Sequence, residues 1–449
     1  MSPSAIRSRW WRMVQRREPL RARAFAALPW MMLAMLVERG LYVLLVQPPV
    51  ANVYSDMAGY VERAWRLASP GVHLNRFDAF FPPGTHVLMT PLFMLTGDRE
   101  AGMAANQMLW WLMAVGTLWA VGAIAFLLFG HPVPALLAMM LCWAYLPFSG
   151  FAAFFMSENP CAFFLSTTVL TGLLAQRIDE GKRPLRVLAY LGCGLLGGVA
   201  VAIRPQMVIT VGMLCLFLAA WSLPRLRLLE MSALLAALLL APLGGVALNR
   251  HAAKAPIGLA TNGGFNFYQG HCEVSVVETR ADGGVYVWAS PARLQRLHRE
   301  GRAKTTTVIQ GHMAWEDAYF FGLGMECIRS DGITHVERLL TNLEDFLWGV
   351  QPWPVYNLQP VWLVMSLSFI YPFALLACVA LALRFKRHQR AEQLLLGLLL
   401  TALPVALLFY GDSRFRITYD IFGILLFSGL VASHYGMRQD RPAVPSTLR

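Results

Sequence analysis

Two carboxylates and three arginines in this chain stand where ionisable side chains are costly, at the borders of long apolar runs. Asp56 follows the first run, and Tyr60 lies one helical turn beyond it. Glu158, in Phe155-Met156-Ser157-Glu158-Asn159-Pro160, stands at the mouth of another run. Arg204 precedes Pro205 between two further runs. Arg414 and Arg416 close the segment Tyr410-Gly411-Asp412-Ser413-Arg414-Phe415-Arg416 just before the last run. At such a depth an ionisable group is expensive unless it is paired or works. A carboxylate can take the proton of an attacking hydroxyl, and a guanidinium fork can hold two phosphate oxygens at once. Each residue also has a plainer reading. Asp56 and Glu158 suit helix starts, Arg204 suits an interfacial anchor, and Arg414 with Arg416 suits lipid headgroups.

The element that must position Asp56 is the stretch from Asn52 to Gly97. Tyr60, Val61, Ala64, Trp65 and Ala68 form one apolar stripe at helical spacing after Ser55-Asp56, with Glu62 and Arg66 facing outward as a pair four residues apart. Ser69-Pro70-Gly71 stops this helix, and Pro82-Pro83-Gly84 breaks the chain before a second apolar run. Asp78 lies in the same loop, just before Phe80-Phe81.

With 449 residues, 57% hydrophobic and 14% charged, and a mean hydropathy of +0.49, the chain falls outside the range of soluble globular domains. Apolar runs long enough to span, about 17–25 residues each, lie near 24–46, 101–129, 134–150, 160–176, 186–203, 206–223, 228–247, 360–383, 394–410 and 417–435. The run at 85–97 is too short, contains Pro91, and reads as a re-entrant or interfacial segment. That choice puts Arg177, Lys182, Arg183 and Arg186, then Arg225 and Arg227, then Arg384 to Arg390 and the tail from Arg438, all on the side of the N-terminus. The positive-inside rule makes that side cytoplasmic, with both termini there. The net charge of +12 then reflects orientation in a bilayer, and no nucleic acid is implied. Seven arginines before the first run read as the cytoplasmic start of a retained signal-anchor.

The expected fold class is therefore an all-α polytopic membrane protein of about ten spans. It divides into an N-terminal membrane domain, 1–248, with an outer loop 47–84 and the re-entrant segment 85–97; an outer region, 249–357; and C-terminal spans, 358–449. In the outer region, Ser290-Pro291 opens a basic helix, and Trp315 through Leu340 reads as two helices joined at Ser330-Asp331-Gly332. Cys272 and Cys327 share this region and can form a disulfide in an oxidising compartment, whereas five of the seven cysteines lie in apolar runs as small hydrophobes. The histidines show no zinc-protease spacing, and no Walker, Rossmann or Gly-x-Ser-x-Gly pattern occurs. No internal repeat points to a transporter of duplicated halves.

The order of Asp56, Tyr60, Phe80-Phe81-Pro82-Pro83-Gly84, Ser157-Glu158, Arg204-Pro205, Thr261 to Gly270, and Gly411-Asp412-Ser413-Arg414-Phe415-Arg416 resembles GT-C membrane glycosyltransferases. More narrowly, it is similar to bacterial proteins related to protein O-mannosyltransferase and the lipid A aminoarabinose transferase. Departures are Phe415, where Tyr is usual, and His271, where Asn is usual. The resemblance implies a GT-C-type fold in a bacterial inner membrane. It implies transfer of a sugar from a polyprenyl-phosphate donor to a glycan, lipid or protein acceptor on the extracytoplasmic face. Asp56 would be the general base of an inverting displacement, with Tyr60, Asp78, Glu158, Arg204, Arg414 and Arg416 binding substrate. On the cofactor the resemblance leaves two alternatives, none or a divalent cation, and Asp56, Asp78 and Glu158 would hold a cation if they converged. The competing reading is a transporter or flippase of a lipid-linked saccharide.

Overall fold

Apolar runs with no water to satisfy their backbone close their hydrogen bonds internally, and helices follow. The structure, a computed structural model, describes residues 3–71, 74, 76–221, 228–272, 276–279, 285–288, 316–348, 372, 390–409 and 411–434. In chain order its helices are α1 (Pro3–Leu41), α2 (Ser55–Ala68), α3 (Gly84–Thr96), α4 (Arg99–Phe129), α5 (Pro132–Ala144), α6 (Leu146–Ala152), α7 (Glu158–Ala175) and α8 (Arg183–Ile203). There follow α9 (Met207–Trp221), α10 (Leu228–Ala253), α11 (Gly263–His271), α12 (Asp317–Asp331), α13 (Ile333–Trp348), α14 (Arg390–Leu400), α15 (Ala402–Leu408) and α16 (Ile417–His434). The non-helical element among the described residues is a hairpin, β1 (Val276–Thr279) with β2 (Val285–Trp288), antiparallel with Val276 opposite Trp288. The two Val-rich runs around Asp282-Gly283 carried that signal in the sequence.

The chain is a multi-pass, all-α membrane protein. Six segments are long and apolar enough to cross: Arg21–Val46, Arg99–Phe129, Arg183–Ile203, Leu228–Ala253, Arg390–Leu408 and Arg414–Ser433. A seventh is the pair α5 and α6, bent by 63° at the extended Tyr145, where Pro147 has no N–H to continue the helical ladder. Of the other expected spans, 160–176 and 206–223 correspond to α7 and α9, helices of 18 and 15 residues. The span expected at 360–383 and the basic helix from Ser290 lie outside the described residues. The short run at 85–97 is α3, of 13 residues.

Antiparallel packing of α7 on α8 puts Glu158 and Arg204 at one end of the bundle and the 176–182 connection at the other. Arg177, Lys182, Arg183 and Arg186 gather at that far end. There Arg186 holds the buried Glu230 of α10 at 2.8 Å, and Arg177 donates to the Leu127 carbonyl. Helices α8 and α10 meet closely because Gly194 and Gly198 lack side chains. A Cβ on either would lie 2.1 Å from the Leu234 oxygen or 2.4 Å from the Leu238 oxygen, the small-residue packing that membrane helices use in place of a hydrophobic driving force. Gly198→Val should therefore force the pair apart, at a cost of about 1–3 kcal/mol. A lower melting temperature of the detergent-solubilised protein is the expected readout.

In α2 the apolar stripe packs inward as expected, with Met57, Tyr60, Val61 and Ala64 buried. The pairing of Glu62 with Arg66 is replaced by longer-range partners: Glu62 meets Arg99 at 3.2 Å, and Arg66 meets Asp78 at 3.0 Å. A Cβ on Gly84 would sit 2.4 Å from the Ile203 backbone nitrogen, so the Pro82-Pro83-Gly84 turn presses on the end of α8, next to Arg204.

Beyond α10 in the chain lies a small unit with its own apolar cluster, which includes Phe265, Tyr268 and Phe320. Thr261 donates its backbone N–H to the Ala79 carbonyl at 3.0 Å, seating α11 against the loop that carries Asp78. Cys272, just past α11, is disulfide-bonded to Cys327 of α12, with Cα atoms 5.4 Å apart. Helices α12 and α13 join at Gly332, whose positive φ of 52° suits glycine. Helix α13 then bridges two parts of the molecule. Asn342 donates to the Gly270 carbonyl at 2.7 Å, and the Asn342 carbonyl is so close to Gly411 that a Cβ there would meet it at 1.9 Å.

Candidate active site

The site forms where α2, the start of α7, the end of α8 and the turn before α16 converge. Asp56 lies in the first turn of α2. The cap position is Tyr54, and no side chain caps the helix, so the Asp56 carboxylate is not spent on capping. Ser55, immediately before it, has φ of +49°, a left-handed conformation that costs a residue with a Cβ about 1–2 kcal/mol. The Asp56 carboxylate retains 21% exposure and lies 3.8 Å from the Arg414 guanidinium.

Arg414 is placed by a short turn, Ser413–Arg416, in which Asp412 accepts the Arg414 backbone N–H at 2.9 Å. From there its Nε lies 3.6 Å from Glu158 Oε1 and 3.9 Å from Asp412 Oδ2. Glu158 is fully buried, and the same Oε1 accepts from Arg204 Nη2 at 2.5 Å. Arg204 also donates from Nε to the Ser157 hydroxyl at 3.0 Å. Its Nη1 is buried with no hydrogen-bond partner among the described residues. The Phe415 ring lies near both guanidiniums, 5.4 Å from that of Arg204 and 5.1 Å from that of Arg414. Tyr60, beside Ser157 and one turn after Asp56, has its phenol pushed up to about 12 by burial, with Asp56 and Glu158 adding to the effect.

Burial also raises the carboxyl of Asp56 above the ordinary aspartate value, against the opposing pull of Arg414. Asp412 is raised for the same reason. A carboxylate moved in this direction is a stronger base, which suits proton abstraction near neutral pH.

Of the residues singled out in the sequence, the structure thus brings together Asp56, Tyr60, Glu158, Arg204 and Arg414. Two stand elsewhere. Asp78 is buried in its ion pair with Arg66. Arg416 is fully buried and turned from the cluster, with Nε on Asp420 at 3.1 Å, Nη1 on the Leu347 carbonyl, and Tyr145 donating to the same Asp420. Arg416 therefore anchors the turn that presents Arg414. Because Asp78 is not brought to Asp56 and Glu158, a cation site from those three residues is not formed. Among the described residues no group of three or more His, Cys, Asp or Glu could hold a metal ion, and arginines already face both carboxylates.

Sequence reasoning quoted Ser157 and Asp412 within motifs but gave them no role, and it passed over Arg63. Arg63 lies seven residues after Asp56, on the same face of α2, buried with its guanidinium 4.6 Å from the Phe81 ring. Burial brings its value down to about 10. The position seven residues on from Asp56 was the available signal.

No family model matches the chain, and no curated protein matches it. Among solved structures it is similar to the archaeal oligosaccharyltransferase AglB from Archaeoglobus fulgidus, in complex with an inhibitory peptide and a dolichol-phosphate. The TM-score is 0.48 at 16% identity, over 91% of this chain and 50% of that one. It is also similar to ArnT from Cupriavidus metallidurans in the apo state, with a TM-score of 0.38 at 13% identity, over 91% of this chain and 78% of that one. The chain spans about half the length of the oligosaccharyltransferase.

Proposed function

We propose that this chain is a GT-C-type membrane glycosyltransferase that moves a sugar from a polyprenyl-phosphate donor to an acceptor hydroxyl. The observation that carries the reading is the desolvated cluster at one end of the helical bundle. In it a partly exposed carboxylate of raised basicity, Asp56, lies 3.8 Å from an arginine that shares Glu158 with a second arginine. A base and an anion cradle side by side are what an inverting displacement at a sugar phosphate needs.

In that displacement the acceptor oxygen attacks the anomeric carbon from the face opposite the phosphate. Its proton passes to an Asp56 oxygen as the new C–O bond forms. The bond between the anomeric carbon and the phosphate oxygen breaks, and its electron pair stays on that oxygen. The charge growing there is met by Arg204 and Arg414, preorganised in a site with little water, where such groups act most strongly. Tyr60 and Arg63, on the Asp56 face of α2, orient the acceptor and the base.

The reading places the site on the extracytoplasmic side, because the arginines and lysine of the 177–186 stretch occupy the opposite end of the bundle. The Cys272–Cys327 disulfide suits an oxidising compartment. The lipid donor then enters sideways from the bilayer, and the acceptor from the aqueous phase.

The test is bond cleavage in detergent, with purified protein, a short-chain polyprenyl-phosphate sugar and a panel of hydroxyl acceptors. Acceptor-dependent release of polyprenyl phosphate is the expected result. A transporter has no second side to deliver to in a micelle and breaks no bond. Donor binding without release on any acceptor would favour the transporter.

A further inference from the structure

Glu158 engages both of the arginines that the reading above assigns to the substrate phosphate. A single oxygen, Oε1, lies 2.5 Å from Arg204 Nη2 and 3.6 Å from Arg414 Nε, so one buried carboxylate engages both guanidiniums. Ser157, which accepts from Arg204 Nε, closes the other edge of the Arg204 fork. That leaves Nη1, buried and without a partner among the described residues. A phosphate oxygen can meet Nη1 directly. Holding the phosphate through both terminal nitrogens of the fork, the geometry that makes arginine a phosphate ligand, requires Nη2 to be shared with or taken from Glu158.

Charge makes this a competition. In a buried site two anions on one pair of cations repel more strongly than they would in water. The donor's phosphodiester carries about one negative charge, whereas the product monoester carries about 1.5 to 2 near neutral pH. Arginines alone would hold the product more tightly than the donor and stall turnover. A fixed carboxylate between them penalises the more highly charged ligand more.

We infer that Glu158 is a built-in competitor of the leaving phosphate: it occupies the two site arginines, yields them as the donor binds, and recovers them to expel the polyprenyl phosphate product. This rests on the transferase reading above and adds to it a residue that sets phosphate affinity and release. An alternative role, Glu158 as a brace that merely holds Arg204 in place, predicts the opposite sign for its removal.

The experiment measures binding of farnesyl phosphate, a diester of farnesyl phosphate, and inorganic phosphate to the purified full chain. Wild type is compared with Glu158→Gln and with Glu158→Asp, which keeps the charge but draws it back by one methylene. Melting temperatures of all three proteins are recorded. Farnesyl phosphate should bind tenfold or more tightly to Glu158→Gln, and Glu158→Asp should fall between it and wild type. The diester should gain less than the monoester. If Glu158→Gln does not accumulate, Glu158→Asp decides alone, and affinity at or below wild type overturns the inference.

Weaker or unchanged farnesyl phosphate binding in Glu158→Gln makes Glu158 a brace and overturns the inference, while the transferase reading is decided separately by the bond-cleavage assay above. Equal gains for the two esters overturn the role in product release. A gain for inorganic phosphate with none for farnesyl phosphate overturns the assignment to a lipid phosphate. Failure of wild type to bind any lipid phosphate overturns the transferase reading and this inference with it.

Discussion

Asp56→Asn should abolish sugar transfer while leaving a protein that accumulates in the membrane and melts no lower than wild type. The amide has the size of the carboxylate but cannot accept the acceptor's proton, and a general base contributes about 10²–10⁴ in rate. The stability half of the expectation comes from the direction of the Asp56 shift. Burial raises its carboxyl above the ordinary value in the folded protein, so the folded state disfavours the ionised form. That cost is fully present above the folded value and is relieved as pH falls through it. Asparagine carries no charge, so the variant should equal or exceed wild type in melting temperature at pH 7, and the gap should close on acidification. The same direction places the acid limb of the wild-type rate profile above the range of an ordinary aspartate. Asp78→Asn, whose carboxylate is occupied by Arg66, should lose less activity. Full turnover in Asp56→Asn would return Asp56 to a helix-start residue and favour the transporter.

Arg414→Ala should have the second-largest effect, with a pH signature that separates it from simple misfolding. Loss of a charged hydrogen bond to the leaving phosphate costs about 1.5–3 kcal/mol, or roughly 10- to 150-fold in rate. Arg414 is also the largest of the influences holding the Asp56 carboxyl down. Without it the acid limb of the rate profile should move to higher pH, so the deficit at pH 6 should exceed the deficit at pH 8. Arg414→Lys should recover little of the loss, because an ammonium cannot reproduce the fork that faces Asp56, Glu158 and Asp412. A pH-independent loss would mean that Arg414 acts on the phosphate alone. Normal transfer would make it a headgroup anchor.

The helical fold was legible because each apolar run must satisfy its own backbone, and run length alone then marks the helices. The breaks were legible too: Pro82-Pro83-Gly84 leads into the start of α3, and Ser330-Asp331-Gly332 ends α12 before α13 begins. Most of the cluster could be anticipated because a carboxylate or arginine at a run border is costly enough to need a reason, as with Asp56, Glu158, Arg204 and Arg414. Arg416 satisfied the same criterion for another reason, since its charge is balanced by Asp420 one turn on in α16. A one-dimensional reading cannot tell a charge facing a cavity from one facing a neighbouring helix. Glu62 and Arg66 failed similarly: their spacing suited each other, but Arg99 and Asp78 came closer through tertiary packing. Arg63 went unnoticed because arginine on the apolar face of an amphipathic helix looks like an exception, until Phe81 is found beneath it.

The contact between Gly411 and Asn342 bears on any attempt to re-engineer the acceptor. Helix α13 touches the α11 segment through Arg338 on the His271 carbonyl and Asn342 on Gly270. From Asn342 onward it also supports the arginine-bearing turn, through the close approach of Asn342 to Gly411 and the Leu347 carbonyl that receives Arg416. A chimera that exchanged α11 to α13 for another protein's unit would change more than its recognition surface. It would also replace the seat of Arg414. Module swaps at this boundary would need to retain the α13 face that meets residues 411–416, or to evolve the two segments together, and a glycine at 411 would be the residue least free to drift.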